Sequence, residues 1–288
     1  MSPSSVSRRS FLGSTAVGAL ATLATPWERW ASADPAGTLR AIAGLGYGYV
    51  EAALLPSLGP ASKAAGLKQA SAYAPTYLIT GNRAAWASPQ QPPLLPEDYT
   101  WDKAVEEAKA QGLQYMVIVY LQKAERGGLD VYRTLAKGLA KAGETCRKAG
   151  LGLAYHPHAF EYEMIDGTRP IDLLLKETHK DLLGLELDTF WASIAGVDPT
   201  MMAETYSGRV PLVHLKDKAK GTPVQYDETK VPHEAFKEVG QGSIDWAKFL
   251  PAATKAGVKY FYVEQDYCVG SPLDSLRQSR EALKKLAG

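Results

Sequence analysis

The chain lacks an excess of charge. Its 288 residues carry 32 Lys and Arg against 31 Asp and Glu, for a formal net charge of +1. Without a clustered basic surplus there is no electrostatic footprint for nucleic acid, so an endonuclease-type function is disfavoured. Cysteine is scarce as well, with two in the whole chain, Cys146 and Cys268. That excludes a disulfide-stapled scaffold, and the pair reads as two thiols rather than one bridge. No apolar run is long enough for a comfortable membrane span. No phosphate-cradling glycine motif is present either. Gly240-Gln-Gly242 is too short for a nucleotide fingerprint and reads as a turn before a helix.

What remains is 45% hydrophobic and 22% charged, ample for one large buried core. The N-terminus stands apart. Arg8-Arg9-Ser10-Phe11-Leu12 precedes the apolar, small-residue stretch Ser14 to Ala24, and Ala31-Ser32-Ala33 offers a small-residue cleavage site. This order resembles a twin-arginine export signal. Residues 1–33 are therefore expected to be a signal segment and 34–288 the folded domain, with a periplasmic or otherwise exported location.

From Asp34 onward, strands and helices alternate. Apolar strands are expected near residues 50, 70, 117, 154, 185, 213 and 262, with helices of about three turns between them. That alternation argues for a parallel sheet covered by helices, and the length suits a (β/α)8 barrel. Four of the strands end alike, in Tyr155-His156-Pro-His158, Leu-Glu186-Leu-Asp188, His214-Leu-Lys216-Asp217 and Val-Glu264-Gln-Asp266. Residues two apart on a strand share a face. A parallel barrel would bring these polar ends to one mouth. Seven strands leave a barrel one short, and only residues before the first helix are available to supply the eighth. The apolar leader could fill the gap, the barrel could be open or completed by a partner copy, or the gene could be a decayed one. An open barrel exposes two unpaired edges.

Six segments in order carry a family resemblance: Gly37-Thr-Leu-Arg-Ala-Ile-Ala-Gly-Leu-Gly-Tyr47 with Val50-Glu51, Tyr155-His-Pro-His-Ala-Phe-Glu161, Leu187-Asp188-Thr-Phe-Trp191, Val213-His214-Leu-Lys216-Asp217, Gly240-Gln-Gly-Ser-Ile-Asp245 and Val263-Glu264-Gln-Asp266. The chain resembles the xylose isomerase-like TIM barrels, in the sugar phosphate isomerase/epimerase branch. That resemblance implies one divalent metal ion, Mn, Zn or Co, at the barrel mouth, with Asp188, His214 and Glu264 as ligands and Glu264 also counted with the catalytic groups. Related ketose epimerases place a Glu on the strand that here ends Tyr155-His156. His156 is then the candidate fourth ligand, and a symmetrical two-base epimerisation loses one base. Glu161 matches a substrate-contacting Glu, and Trp191 stands where those epimerases have a substrate-binding His.

The chemistry expected is proton removal from the carbon beside a sugar or polyol carbonyl, as in an isomerase or epimerase. The alternatives are a lyase, dehydratase or hydrolase of keto-sugars, and a non-catalytic sugar-binding remnant. His158, Glu161 and Lys216 are the candidate bases and acids, with His158 moving the proton. Glu51 is evenly balanced between a site role and a surface ion pair. Glu186 reads as a buried acid with a structural partner. Asp217 and Asp266 read as holders of the site residues ahead of loop caps. His179 and His233 read as structural. Trp86, Tyr120, Trp191 and Tyr267 read as packing, with sugar stacking as the alternative. The expected partner is a small carbohydrate or polyol, with a homo-oligomer left open.

Overall fold

The computed structural model describes residues 16–20, 34–87 and 94–287. In chain order the elements are β1 (Ala16–Leu20), α1 (Pro35–Gly44), β2 (Tyr49–Ala53), α2 (Leu58–Ala64), β3 (Lys68–Tyr73), the short helices α3 (Tyr77–Thr80) and α4 (Arg83–Trp86), α5 (Trp101–Ala110) and β4 (Tyr115–Ile118). They continue with α6 (Leu129–Ala149), β5 (Gly152–Tyr155), α7 (Pro170–Glu177), β6 (Gly184–Asp188), α8 (Thr189–Ile194), α9 (Pro199–Thr205) and β7 (Leu212–Leu215). Then come the two-residue strands β8 (Asp217–Lys218) and β9 (Phe236–Lys237), α10 (Trp246–Lys255), β10 (Tyr260–Val263) and α11 (Pro272–Ala287).

Strands β1 to β7 and β10 close into one barrel in the order β1-β10-β7-β6-β5-β4-β3-β2. Every neighbouring pair is parallel. The apolar stretch near the N-terminus supplies the eighth strand, with Ala16 to Ala19 beside Tyr260 to Val263 and Gly18 to Leu20 beside Tyr49 to Glu51. The paired arginines and the Ala31-Ser32-Ala33 site of the expected signal lie outside the described residues. Among the described residues no helix is long and apolar enough to cross a membrane.

Because β1 fills the space between β2 and β10, removing it leaves two unpaired parallel edges. Deletion of residues 1–33 is expected to abolish the cooperative near-UV thermal transition of the full chain and to increase aggregation. A truncated protein that melts as cooperatively and at the same temperature would show that β1 adds nothing.

Local signals explain most of the helices. Asp34, Thr100, Asp198 and Asp245 each accept a backbone N–H from the first turn of the helix that follows. The large core lies between barrel and helices, with Ile42, Leu139, Leu174, Phe249 and Phe261 fully buried in it. A smaller cluster of Ala70, Val117, Ala154, Leu212, Tyr260 and Tyr262 fills the barrel interior. The period of two then places Glu186 and His214 level with Tyr262 at the top of that cluster, and Asp188, Lys216 and Glu264 above them again.

Asp217 is a correction. It was expected to hold a site residue, but it faces the loop instead. Its carboxylate accepts the backbone N–H groups of Gly240, Gly242, Ser243 and Ile244 and the indole N–H of Trp246. A Cβ on Gly242 would lie 2.3 Å from Asp217 Oδ1, so only glycine lets the backbone come this close.

Candidate active site

The strand ends converge as the period of two requires. Asp188, His214 and Glu264 bring one ligand-capable atom each within 4.8 Å of one another, all buried. His214 Nδ1 is 3.7 Å from Asp188 Oδ2 and 3.6 Å from Glu264 Oε2. His156 Nε2 is 3.8 Å from the same Asp188 oxygen. Asp188 divides its work between its two oxygens. Oδ1 accepts the N–H groups of Phe190 and Trp191 at 2.7 and 2.9 Å and caps α8, which leaves Oδ2 facing the mouth.

Both imidazoles are backed by acids. His214 Nε2 lies 2.9 Å from Glu51 Oε2 and 3.4 Å from Glu186 Oε2. His156 Nδ1 lies 3.2 Å from Glu186 Oε2. Glu51 therefore has a site partner rather than a surface lysine. Glu186 is buried and paired as its strand position implies, and burial pushes its carboxyl up to about 8, with Glu51 adding to the shift. For His214, burial opposes the charged form, but Glu186, Glu264 and Glu51 outweigh it and raise the imidazole well above its ordinary value.

Lys216 sits two residues beyond His214 and is fully buried. Its ammonium pairs with Glu264 and Asp266 and lies 3.3 Å from Asp188 Oδ2. Burial alone would discharge it, yet Asp188, Asp266 and Glu264 hold it well above the usual lysine value. Three carboxylates thus face one ammonium, an arrangement with room for further positive charge. Two buried atoms at the centre, Asp188 Oδ2 and His214 Nδ1, meet no hydrogen-bond partner. Buried polar groups left this way call for a ligand or an ion. Oxygen and imidazole donors around such a point suit a divalent cation, so the residues present fit the metal that the resemblance implies.

His158 reaches the same mouth from the turn after β5. Its ring lies 5.1 Å from that of His156, 5.0 Å from Trp191 and 5.2 Å from Tyr120. Burial, helped by Lys216, pushes its imidazole down to about 3, so the ring is neutral near pH 7. Its Nδ1 has no partner. Tyr120 is fixed by Glu228, which accepts hydrogen bonds from the phenol hydroxyl and from Nη1 and Nη2 of Arg126 at 2.5 to 3.1 Å. Trp86 packs edge-on against Tyr120, so these aromatics wall one side of the mouth. Tyr267 stacks on His233 instead, and His179 pairs with Asp181 away from the centre.

Glu161 is the second correction. Its expected place in substrate contact conflicts with the geometry, because both oxygens are committed. One accepts the Tyr155 hydroxyl at 2.6 Å and the other the His158 backbone N–H at 2.8 Å. Tyr155 alternates with the inward His156, so this pairing lies behind β5, where Glu161 shapes the turn that carries His158. Burial pushes Glu161 up to about 8. Between its ordinary value and about 8 the folded protein keeps a proton that the unfolded chain has lost, so stability falls as pH rises through that window. Glu161→Gln is expected to gain in melting temperature relative to wild type at pH 9 compared with pH 5. Equal differences at both pH values would show that Glu161 folds as an ionised group.

Comparison with known proteins agrees with this picture. The chain is 31% identical over 165 residues to an inosose dehydratase of Clostridium perfringens, a match covering 54% of this chain and 55% of the relative. The chain therefore spans about half the length of the curated relatives it matches. In three dimensions it resembles a sugar phosphate isomerase/epimerase of Parabacteroides distasonis, at a TM-score of 0.72 and 20% identity, covering 94% of this chain and 96% of the other. It also resembles the IolI protein, solved with a bound zinc atom, at a TM-score of 0.64 and 14% identity over 88% and 92% of the two chains. At such identities these structures speak for the fold alone. Residues 39–286 match the sequence profile of one family across nearly the whole described domain. On that match and on its closed parallel barrel, the chain belongs to the xylose isomerase-like TIM barrel family.

Proposed function

We propose that the protein is a divalent-metal-dependent enzyme that removes a proton from the carbon beside a carbonyl of a sugar or cyclic polyol. The observation that carries this reading is the convergence of Asp188 Oδ2, His214 Nδ1, Glu264 Oε2 and His156 Nε2, each pair named above within 4 Å. These four residues would hold the ion. Bound there, a divalent cation supplies Lewis acidity toward adjacent carbonyl and hydroxyl oxygens.

The chain's own groups do the rest. Neutral His158 accepts the proton through a ring nitrogen that has no competing partner. Lys216 donates a hydrogen bond to the oxyanion that develops on the former carbonyl oxygen. Its fixed pairing with Asp266 keeps the ammonium aimed at the mouth. Trp191 and Tyr120 flank His158 and keep water from its ring. His158→Ala is expected to lower turnover by about two to four orders of magnitude with metal retained, the span usual for loss of acid–base catalysis. Unchanged turnover would remove His158 from the reaction.

Return of the proton by His158 to the neighbouring carbon gives an isomerase, whereas an epimerase needs a second group to deliver a proton to the opposite face. A dehydratase reading has its own support. An imidazole, His156, stands where a second carboxylate base would be needed, and the buried ammonium of Lys216 can protonate a leaving hydroxyl. The sequence relatives named inosose dehydratase lean the same way. Keto-sugars and inososes incubated in deuterated water with the zinc-loaded protein separate the two by proton NMR. Exchange at the carbon beside the carbonyl without elimination marks the isomerase or epimerase, and loss of water marks the dehydratase. Neither, with zinc bound, would leave a sugar-binding barrel without catalysis. We also propose export by the twin-arginine route with the N-terminal segment retained, because its apolar run supplies β1, on the paired arginines ahead of that run. Recovery of the protein only in the cytoplasmic fraction would refute it.

A further inference from the structure

Beneath the two histidines lie two acids with no place in the reaction described above. Glu51 on β2 and Glu186 on β6 are both fully buried. They come from opposite sides of the barrel and meet under the imidazoles. Glu51 Oε2 is 2.9 Å from His214 Nε2, and Glu186 Oε2 is 3.2 Å from His156 Nδ1 and 3.4 Å from His214 Nε2. An imidazole that ligates a metal is neutral and carries one N–H and one lone pair. Whichever nitrogen donates to the acid below leaves the other as the lone-pair donor at the mouth.

We infer that Glu51 and Glu186 are positioning residues that fix opposite ring nitrogens of the two histidines as metal donors, Nδ1 for His214 and Nε2 for His156. The geometry at the mouth agrees. The nitrogens pointing away from the acids, His214 Nδ1 and His156 Nε2, are the ones 3.7 and 3.8 Å from Asp188 Oδ2. His214 Nδ1 is one of the two central buried atoms without a hydrogen-bond partner. The asymmetry follows from where each ring enters. His214 rises from β7 with its Nε2 directed across the interior toward β2. His156 leaves the end of β5 with its Nδ1 directed down toward β6. Without the two acids each ring could turn over and present the wrong nitrogen, or swing away from Asp188. The second carboxylate oxygens, Glu51 Oε1 and Glu186 Oε1, are buried without hydrogen-bond partners. The same acids could therefore hold a second cation below the imidazoles, and the experiment has to separate that case.

This inference rests on the proposed metal site but not on the proposed reaction, so the test uses no substrate. The full chain, with 15N-labelled histidine and loaded with cadmium-113, is read by NMR, and cadmium affinity is measured by calorimetry. The expected result is one cadmium per chain, coupled to Nδ1 of one histidine and Nε2 of another, assigned by His214→Ala and His156→Ala. Glu51→Leu should weaken cadmium binding by about 10- to 100-fold. Glu51→Gln, which keeps an acceptor for the Nε2 proton, should recover most of that loss. Coordination through the same nitrogen type on both histidines would overturn the inference and leave the metal site standing. Two cadmium ions per chain would show that the acids are ligands themselves and overturn it too. No cadmium bound would remove both the inference and the proposed site. One cadmium bound as expected would keep the inference whatever the separate keto-sugar experiment shows about the reaction.

Discussion

Glu264→Gln and His214→Ala are each expected to reduce bound zinc from one per chain to background and to reduce proton exchange to the rate seen without protein. Both residues lie at the centre of the convergence, with 3.6 Å between His214 Nδ1 and Glu264 Oε2. The two variants should differ in stability. Glu264→Gln keeps the shape but removes a charge that pairs with Lys216, so it should melt below the wild type, though by less than His214→Ala. His214→Ala leaves Glu51, Glu186, Asp188 and Glu264 facing one another without their imidazole. Removing one partner from a buried charged cluster typically costs about 3–5 kcal/mol. Metal analysis after dialysis, combined with thermal melts, checks both. Full zinc occupancy in either variant would move the metal elsewhere.

The second large effect belongs to Lys216. Replacement by Met is expected to lower turnover by about two to four orders of magnitude, because the oxyanion loses its ammonium partner. Without metal the same variant should also be destabilised by about 3–5 kcal/mol, since the buried Asp188 and Glu264 and the partly buried Asp266 lose their ammonium and keep only His214 beside them. Saturating zinc should restore most of that stability, because an ion that binds only the folded state stabilises it by mass action. Zinc affinity should rise, as a competing positive charge has gone. Activity would not return with stability, and that split identifies Lys216 as part of the chemistry rather than of the fold. Wild-type turnover in a zinc-stabilised Lys216→Met protein would show the opposite.

Much of this was legible in the sequence because the barrel repeats a simple rule. Four strands end in polar residues spaced by two, and the period of two carries each inward residue to the mouth. The convergence of His156, Asp188, His214, Lys216 and Glu264 follows from that rule, and their division into ligands and catalytic groups comes from the family resemblance. What pairs with what does not. Glu51 and His214 are 163 residues apart, and no local pattern names them as partners. Asp217 was misread because the hairpin β8–β9 folds the chain back, bringing Gly240 to Trp246 onto a residue 23 to 29 positions earlier. Glu161 was placed in substrate contact by the likeness to ketose epimerases, which does not show the local turn. The turn instead sends its carboxylate behind β5 to Tyr155. The closing strand was the hardest to see, since small and apolar residues suit an export signal and a barrel strand alike. Both thiols are free, as the scarcity of cysteine suggested, with Cys146 packed 3.8 Å from the Met116 sulfur.

Anomalous diffraction at the zinc edge from crystals of the zinc-loaded full chain tests the central claim most directly. The expected map has a single peak at the barrel mouth, about 2.0–2.2 Å from His156 Nε2, Asp188 Oδ2, His214 Nδ1 and Glu264 Oε2, the bond lengths of zinc to nitrogen and oxygen. No peak at that point at full zinc loading, or one held by other residues, would contradict the site and the chemistry assigned to it.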